Sequence, residues 1–163
     1  MTLVSVKMVT NLSTKLEMIV TSTALYRSAV TYLALGLAAG LYYRTLTHSQ
    51  DFDGVTVLSL AHTHFLALGF LLSLIMLLLV RTVSMPATGM TRAAAWTYHT
   101  GMALTAGMFL FKGTGEVLGW WVDRPMWAGI SGTGHILLTV AFALVMISLG
   151  RALRTTPARL DPA

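Results

Sequence analysis

Hydrophobic positions along this chain neither alternate nor form narrow stripes; they fill four long blocks separated by clusters of charge. Sixteen uncharged residues lie between Arg27 and Arg44, twenty-seven fill 54–80, nineteen fill 93–111 and twenty-five fill 126–150. A helix needs about 20 predominantly apolar residues to cross a hydrocarbon core about 30 Å thick, so each block reads as one span. The first is short, but residues 24–26 extend it, and the stems of Arg27 and Arg44 are long enough to reach the interface. The pattern predicts an all-α fold, an integral membrane antiparallel four-helix bundle with short connections. Residues 1–23 read as a cytoplasmic tail, 24–152 as the four-span transmembrane domain, and 153–163 as a second cytoplasmic tail. The opening MTLVSVKMVTNLSTKLEMIV has no short apolar core followed by a small-x-small site, so it reads as a tail and not as a cleaved signal.

Charge orients these spans. The clusters sum to +2 through Arg27, −1 across Arg44, Asp51 and Asp53, +2 for Arg81 with Arg92, zero around 112–124, and +2 after the last block. By the positive-inside rule both termini and the loop between spans two and three are cytoplasmic, in a multi-pass protein of a bacterial cytoplasmic membrane. Trp120, Trp121 and Trp127 then lie at the outer ends of spans three and four, where an aromatic belt belongs.

Composition narrows the chemistry further. Only 10% of the 163 residues are charged and 55% are hydrophobic, which excludes an ordinary soluble enzyme. The net charge of +5 is scattered between apolar blocks, with no basic stripe interleaved with aromatics, so nucleic acid is not a partner. With no cysteine, disulfides, iron–sulfur clusters and covalently attached haem are excluded. Any metal then falls to histidine.

Four of the five histidines, His62, His64, His99 and His135, lie inside the blocks, while His48 lies in an outer loop. Ionisable groups within a span are costly and face a cavity, a partner or a cofactor; the plainer alternative is an interhelical hydrogen bond. At 1.5 Å per residue, His62 and His135 both lie about 12 to 14 Å along spans that run in the same direction. Both sit on small or polar faces, with Ser59, Gly69 and Ser73 beside His62, and Ser131 and Thr139 beside His135. They are therefore expected to look inward together and to clamp a planar metal complex between two axial imidazoles. Gly69 and Gly132 would leave room for a macrocycle, and Arg44 would pair with its propionates. His64 is turned about 200° from His62, onto an otherwise apolar face, and this predicts contact with another subunit or a shared cofactor.

Tyr43-Arg44-x-x-Thr47, AHTHFLALGF at 61–70 and SGTGHILLTV at 131–140 resemble a family of small bacterial four-span proteins of unknown function, over roughly residues 24–152. The resemblance implies that topology, with Tyr43, Arg44, His62, His64 and His135 as motif positions. A weaker resemblance is to the catalytic subunit of haem–copper oxidases, in which a His-x-His on one helix serves two haem sites and twelve helices form three four-helix units. It implies three copies of this chain. The His-His pair expected on span three is absent, with only His99 after Tyr98.

The resulting expectation is a non-covalent haem b protein held by intramembrane histidines, acting in electron transfer, in gas sensing or as a minimal oxidoreductase. It is expected to be a homo-oligomer in the lipid bilayer, a trimer in preference to a dimer, served by an unidentified electron donor. The metal candidates are His62, His64, His135 and His99. One alternative is a proton or metal-ion transporter lined by these histidines with Ser59, Ser73 and Thr139; the other is a copper site at His62, His64 and His99 without haem.

Overall fold

A computed structural model describes the chain at residues 3–83, 85, 88–120, 122 and 124–155, with side chains described from residue 21 to 154 within those ranges. Four helical rods make up the described fold: α1 Leu3–Ser49, α2 Leu58–Val83, α3 Gly89–Leu118 and α4 Pro125–Thr155. The fold is all-α, as the block pattern predicts, and α1 continues without a break through most of the segment assigned to the first tail. Trp121 and all of the second tail beyond Thr155 lie outside the described residues.

Each rod ends for a local reason. At the end of α1 Asp51 turns left-handed (φ 45°), and the Phe52 amide bonds the Thr47 carbonyl at 3.0 Å, closing the last turn. Thr88 caps α3 reciprocally with Thr91: the Thr91 amide donates to the Thr88 hydroxyl at 3.3 Å and the Thr88 amide to the Thr91 hydroxyl at 2.8 Å. Gly119 (φ 71°) ends α3, because a left-handed residue there is cheapest without a Cβ. Pro125 opens α4, in the first-turn position where a missing N–H costs nothing.

The start of α2 is tied to the end of α3. The Thr56 hydroxyl donates to the Gly113 carbonyl at 3.0 Å, and the Val57 amide donates to the Glu116 carboxylate at 2.8 Å. Placing that carboxylate against the positive end of α2 makes the bond electrostatically favourable as well. The interior is built from small and aromatic residues of three or more rods, with Tyr32, Ala39, Ala61, Phe65, Met102, Ala106, Phe109 and Leu138 buried together.

Adjacent rods pack in chain order, α1 on α2, α2 on α3 and α3 most extensively on α4, but α1 and α4 do not meet among the described residues. The bundle is therefore an open arc. The backbones of α2 and α4 come close only at the Leu72–Val83 end of α2; at the Leu58–His64 end they stand farther apart, and side chains reach across. Three helical segments, Thr21–Ser49, Leu58–Val83 and Pro125–Arg154, are long and apolar enough to cross a membrane. α3 falls short of that hydropathy and is the best-shielded rod, with Gly101, Met102, Thr105, Ala106, Met108 and Phe109 in its buried face. A helix packed between two neighbours exposes less surface to lipid and needs less apolar character. The outward surface elsewhere carries large apolar side chains, among them Leu41 (70% exposed), Ile136 (64%) and Met146 (64%), as a bilayer-facing surface requires.

Candidate functional site

The three histidines of the two resembling motifs share one hydrogen-bonding arrangement. His64 Nδ1 lies 2.9 Å from the Leu60 carbonyl and His135 Nδ1 lies 2.9 Å from the Ser131 carbonyl, each four residues back in its own helix. His62 Nδ1 lies 2.8 Å from the Gly36 carbonyl of α1. A carbonyl oxygen only accepts, so in each neutral ring the proton sits on Nδ1 and Nε2 keeps its lone pair. That is the tautomer in which an imidazole ligates a metal through Nε2 while a backbone carbonyl fixes its orientation.

Which rings meet differs from the expectation. The sequence pairs His62 with His135; the structure pairs His64 with His135, with ring centroids 6.3 Å apart and planes at 77°. Phe109 of α3 lies 4.7 Å from the His64 centroid and 6.1 Å from that of His135. The three distances form a triangle with its short side between Phe109 and His64, so Phe109 flanks the pair and does not separate it. His64, expected on a lipid face, is half-buried; His135 is exposed at the open side of the arc. The difference arises because α2 leans its His62 face onto α1, leaving the opposite face for α3 and α4. Positions 62 and 64, two residues apart, point 200° apart, and the packing of α2 decides which one looks inward.

His62 is held by glycines. A Cβ at Gly40 would lie 2.7 Å from His62 Nδ1, and one at Gly36 would lie 2.5 Å from Leu66 Cδ2. The G-x-x-x-G of α1 is thus a groove that receives α2, and it exposes the Gly36 carbonyl to His62. Gly69, expected to make room for a macrocycle, is filled instead by the Tyr32 ring, whose Cγ would lie 2.6 Å from a Cβ there. Gly132 fits the original expectation better: nothing lies within 4 Å of where its Cβ would be, one turn before His135. Gly134, its neighbour, packs on Thr105 of α3.

His99 belongs to a different layer. Tyr32 of α1 and His99 Nδ1 lie 2.7 Å apart, their rings stack at 5.8 Å, and Tyr98 lies 5.0 Å from His99 and 6.1 Å from Tyr32. No group of three or more histidines or carboxylates close enough to hold a metal ion occurs among the described residues, so His62, His64 and His99 do not assemble a copper site. The hydroxyls offered for a transport path are each tied to a carbonyl of their own segment: Ser59 to Thr56 at 3.2 Å, Ser73 to Gly69 at 2.7 Å, Thr139 to His135 at 3.0 Å. Arg44 lines an open polar pocket at the end of α1 with Thr47, His48, Asp51, Phe52 and Asp53.

The separation of the His64 and His135 rings is within the reach of one shared metal ion. A metal–imidazole bond of about 2.0–2.1 Å, with the nitrogen about 1.1 Å from its ring centre, puts two such centroids about 6.3 Å apart. His135 and Gly132 are both exposed, so the pair is reached from outside the bundle. Phe109 itself, and the Leu60 and Ser131 carbonyls, were not legible as site components in the sequence; the i, i+4 spacing of each carbonyl to its histidine is the one signal that was present.

The fold and this site define a helical membrane-type protein with a histidine pair between its second and fourth helices. The chain belongs to the family described as Protein of unknown function (DUF2871), which matches residues 23–152. No curated protein and no solved structure matches the chain.

Proposed function

We propose that this chain is a haem b-binding membrane protein in which His64 and His135 are the axial ligands. The observation that carries the reading is the facing pair: centroids 6.3 Å apart, each ring committed through Nδ1–H to a backbone carbonyl and each keeping an Nε2 lone pair. Haem held non-covalently supplies one-electron redox chemistry, and two protein imidazoles leave no axial position free for gas or substrate, which favours electron transfer over sensing or oxidation of a substrate. The residues have defined tasks. Leu60 and Ser131 fix the two rings, Phe109 excludes water from one side, and Gly132 leaves the opposite side free of side chain. His62 and His99 are outside this ligand pair.

All four rods span a bacterial cytoplasmic membrane in this reading, with both termini cytoplasmic, because the charge clusters alternate in sign at successive ends. Further copies of the chain, three in preference to two, close the open side between α1 and α4. The motive for assembly is now this open side and the exposure of His135, since His64 has its partners within the chain.

The purified protein from haem-sufficient cells is expected to show a strong Soret band and split bands on reduction. A colourless preparation overturns the haem reading. Thiol labelling in intact cells is expected to reach a cysteine placed at Gln50 and not one at Thr88, and the reverse pattern inverts the topology. Mass measurement in mild detergent decides the copy number.

A further inference from the structure

α2 leaves α geometry at one place, the π segment Phe65–Leu71, which begins at the residue after His64. Such wide turns are rare, cluster at functional sites, and shift the carbonyls off the regular ladder. Here those carbonyls are held from outside. The Tyr98 hydroxyl of α3 donates to the Leu68 carbonyl and lies 3.3 Å from that of Gly69, and the Ser73 hydroxyl donates to Gly69 at 2.7 Å. Gly69 is buried, and the Tyr32 ring stands where its Cβ would be. Sequence and spacing give no reason for Tyr98 to reach α2 at this point.

We propose that Tyr98 is a positioning residue for the histidine pair: its hydroxyl clasps the π segment and so sets the rotation that turns His64 toward His135. One residue of helix corresponds to about 100° of rotation. Were the segment to return to α spacing with the same residues, the two ends of α2 would turn about 100° relative to each other. The Leu72–Val83 end packs on α1 and α4 and the Leu58–His64 end on α1 and α3, so whatever part of that turn the Leu58–His64 end takes up rotates the His64 ring. His64 would then leave Phe109 and His135. Tyr98 acts at a distance, through backbone, and the inference rests on reading His64 and His135 as one site.

The chain has no cysteine, so His64→Cys with His135→Cys provides the only thiols, and a short bifunctional thiol reagent applied to native membranes reads their proximity. The pair is expected to crosslink efficiently with Tyr98 present and about tenfold less with Tyr98→Phe. Tyr42→Phe, which removes a hydroxyl 3.0 Å from Thr114 near the other end of α3, leaves the yield unchanged. Deleting Ala67 in the Tyr98→Phe background takes out the extra residue of the wide turn and restores crosslinking, which a general loss of stability would not allow. An undiminished yield in Tyr98→Phe, a loss that the deletion does not repair, or no crosslinking in the parent overturns the proposal. With both histidines present, Tyr98→Phe is also expected to turn the low-spin haem spectrum high-spin. If the parent binds no haem, the haem reading falls while crosslinking still decides the clasp.

Discussion

Two aromatic and histidine layers lie along the arc, and they treat their polar atoms in opposite ways. In the layer of Tyr32, Tyr98 and His99, side chains satisfy one another or a neighbouring helix: Tyr32 with His99 at 2.7 Å, Tyr98 with the Leu68 and Gly69 carbonyls. In the layer of His64, Phe109 and His135, each ring is anchored to its own helix, and two Nε2 atoms keep their lone pairs beside a phenyl ring. Both layers bring α3 against other rods, yet the first spends its hydrogen bonds on holding the rods together. The second leaves the two Nε2 atoms without a hydrogen-bond partner in the chain, and the proposed function assigns them a ligand.

Substitutions test that division. The largest effect is expected from His64→Ala and His135→Ala, each of which would remove one of the two proposed haem ligands and abolish a low-spin spectrum, whereas His62→Ala and His99→Ala would keep it. Retention of that spectrum in His135→Ala moves ligation elsewhere. Next, Gly40→Val forces a side chain into the His62 ring, which already lies 2.7 Å from a bare Cβ position, and overpacking of this kind costs about 1–3 kcal/mol. Thermal unfolding in detergent should register that loss with the α1–α2 contact as its origin. Tyr32→Phe removes one bond of the structural layer and leaves His99 Nδ1 unsatisfied, at a cost of about 1–3 kcal/mol in the same assay, with the visible spectrum unchanged. A spectral change there would mean that the two layers are coupled. The smallest effect belongs to Gly132→Ala, which meets nothing within 4 Å and should alter stability by less than about 0.5 kcal/mol, while lowering haem content if a macrocycle occupies that space.

The helices themselves were legible, because an apolar block of span length bounded by charge has few other solutions in a chain this poor in charge. Their ends were not read from the sequence; in the structure Pro125 opens α4 and Gly119 closes α3. The sequence offered His62, His64 and His135 together, and the structure brings His64 to His135 while His62 packs on α1. The facing of Gly69 and Ser73 with His62 favoured His62 with His135, and that facing assumed α spacing throughout and a closed bundle. Neither assumption holds, since α2 contains the π segment Phe65–Leu71 and α1 does not reach α4. Gly69 was misread for a related reason: a glycine on a helix face predicts close approach, but only packing identifies the approaching group, here the Tyr32 ring.

Sequence alone determined that the chain is helical and suited to a bilayer, and it left imidazole as the candidate metal-binding group. Those properties follow from local quantities, the length of apolar runs, the positions of charge and the absence of cysteine, which no tertiary contact alters. The rotation of each helix about its axis was decided only in the folded structure. It depends on which neighbour each face meets, on the Gly36 and Gly40 groove that draws His62 onto α1, and on one wide turn held by Tyr98. A rotation of about 100° per residue means that a single extra residue in a turn changes which side chains face each other, and periodicity alone does not reveal that residue.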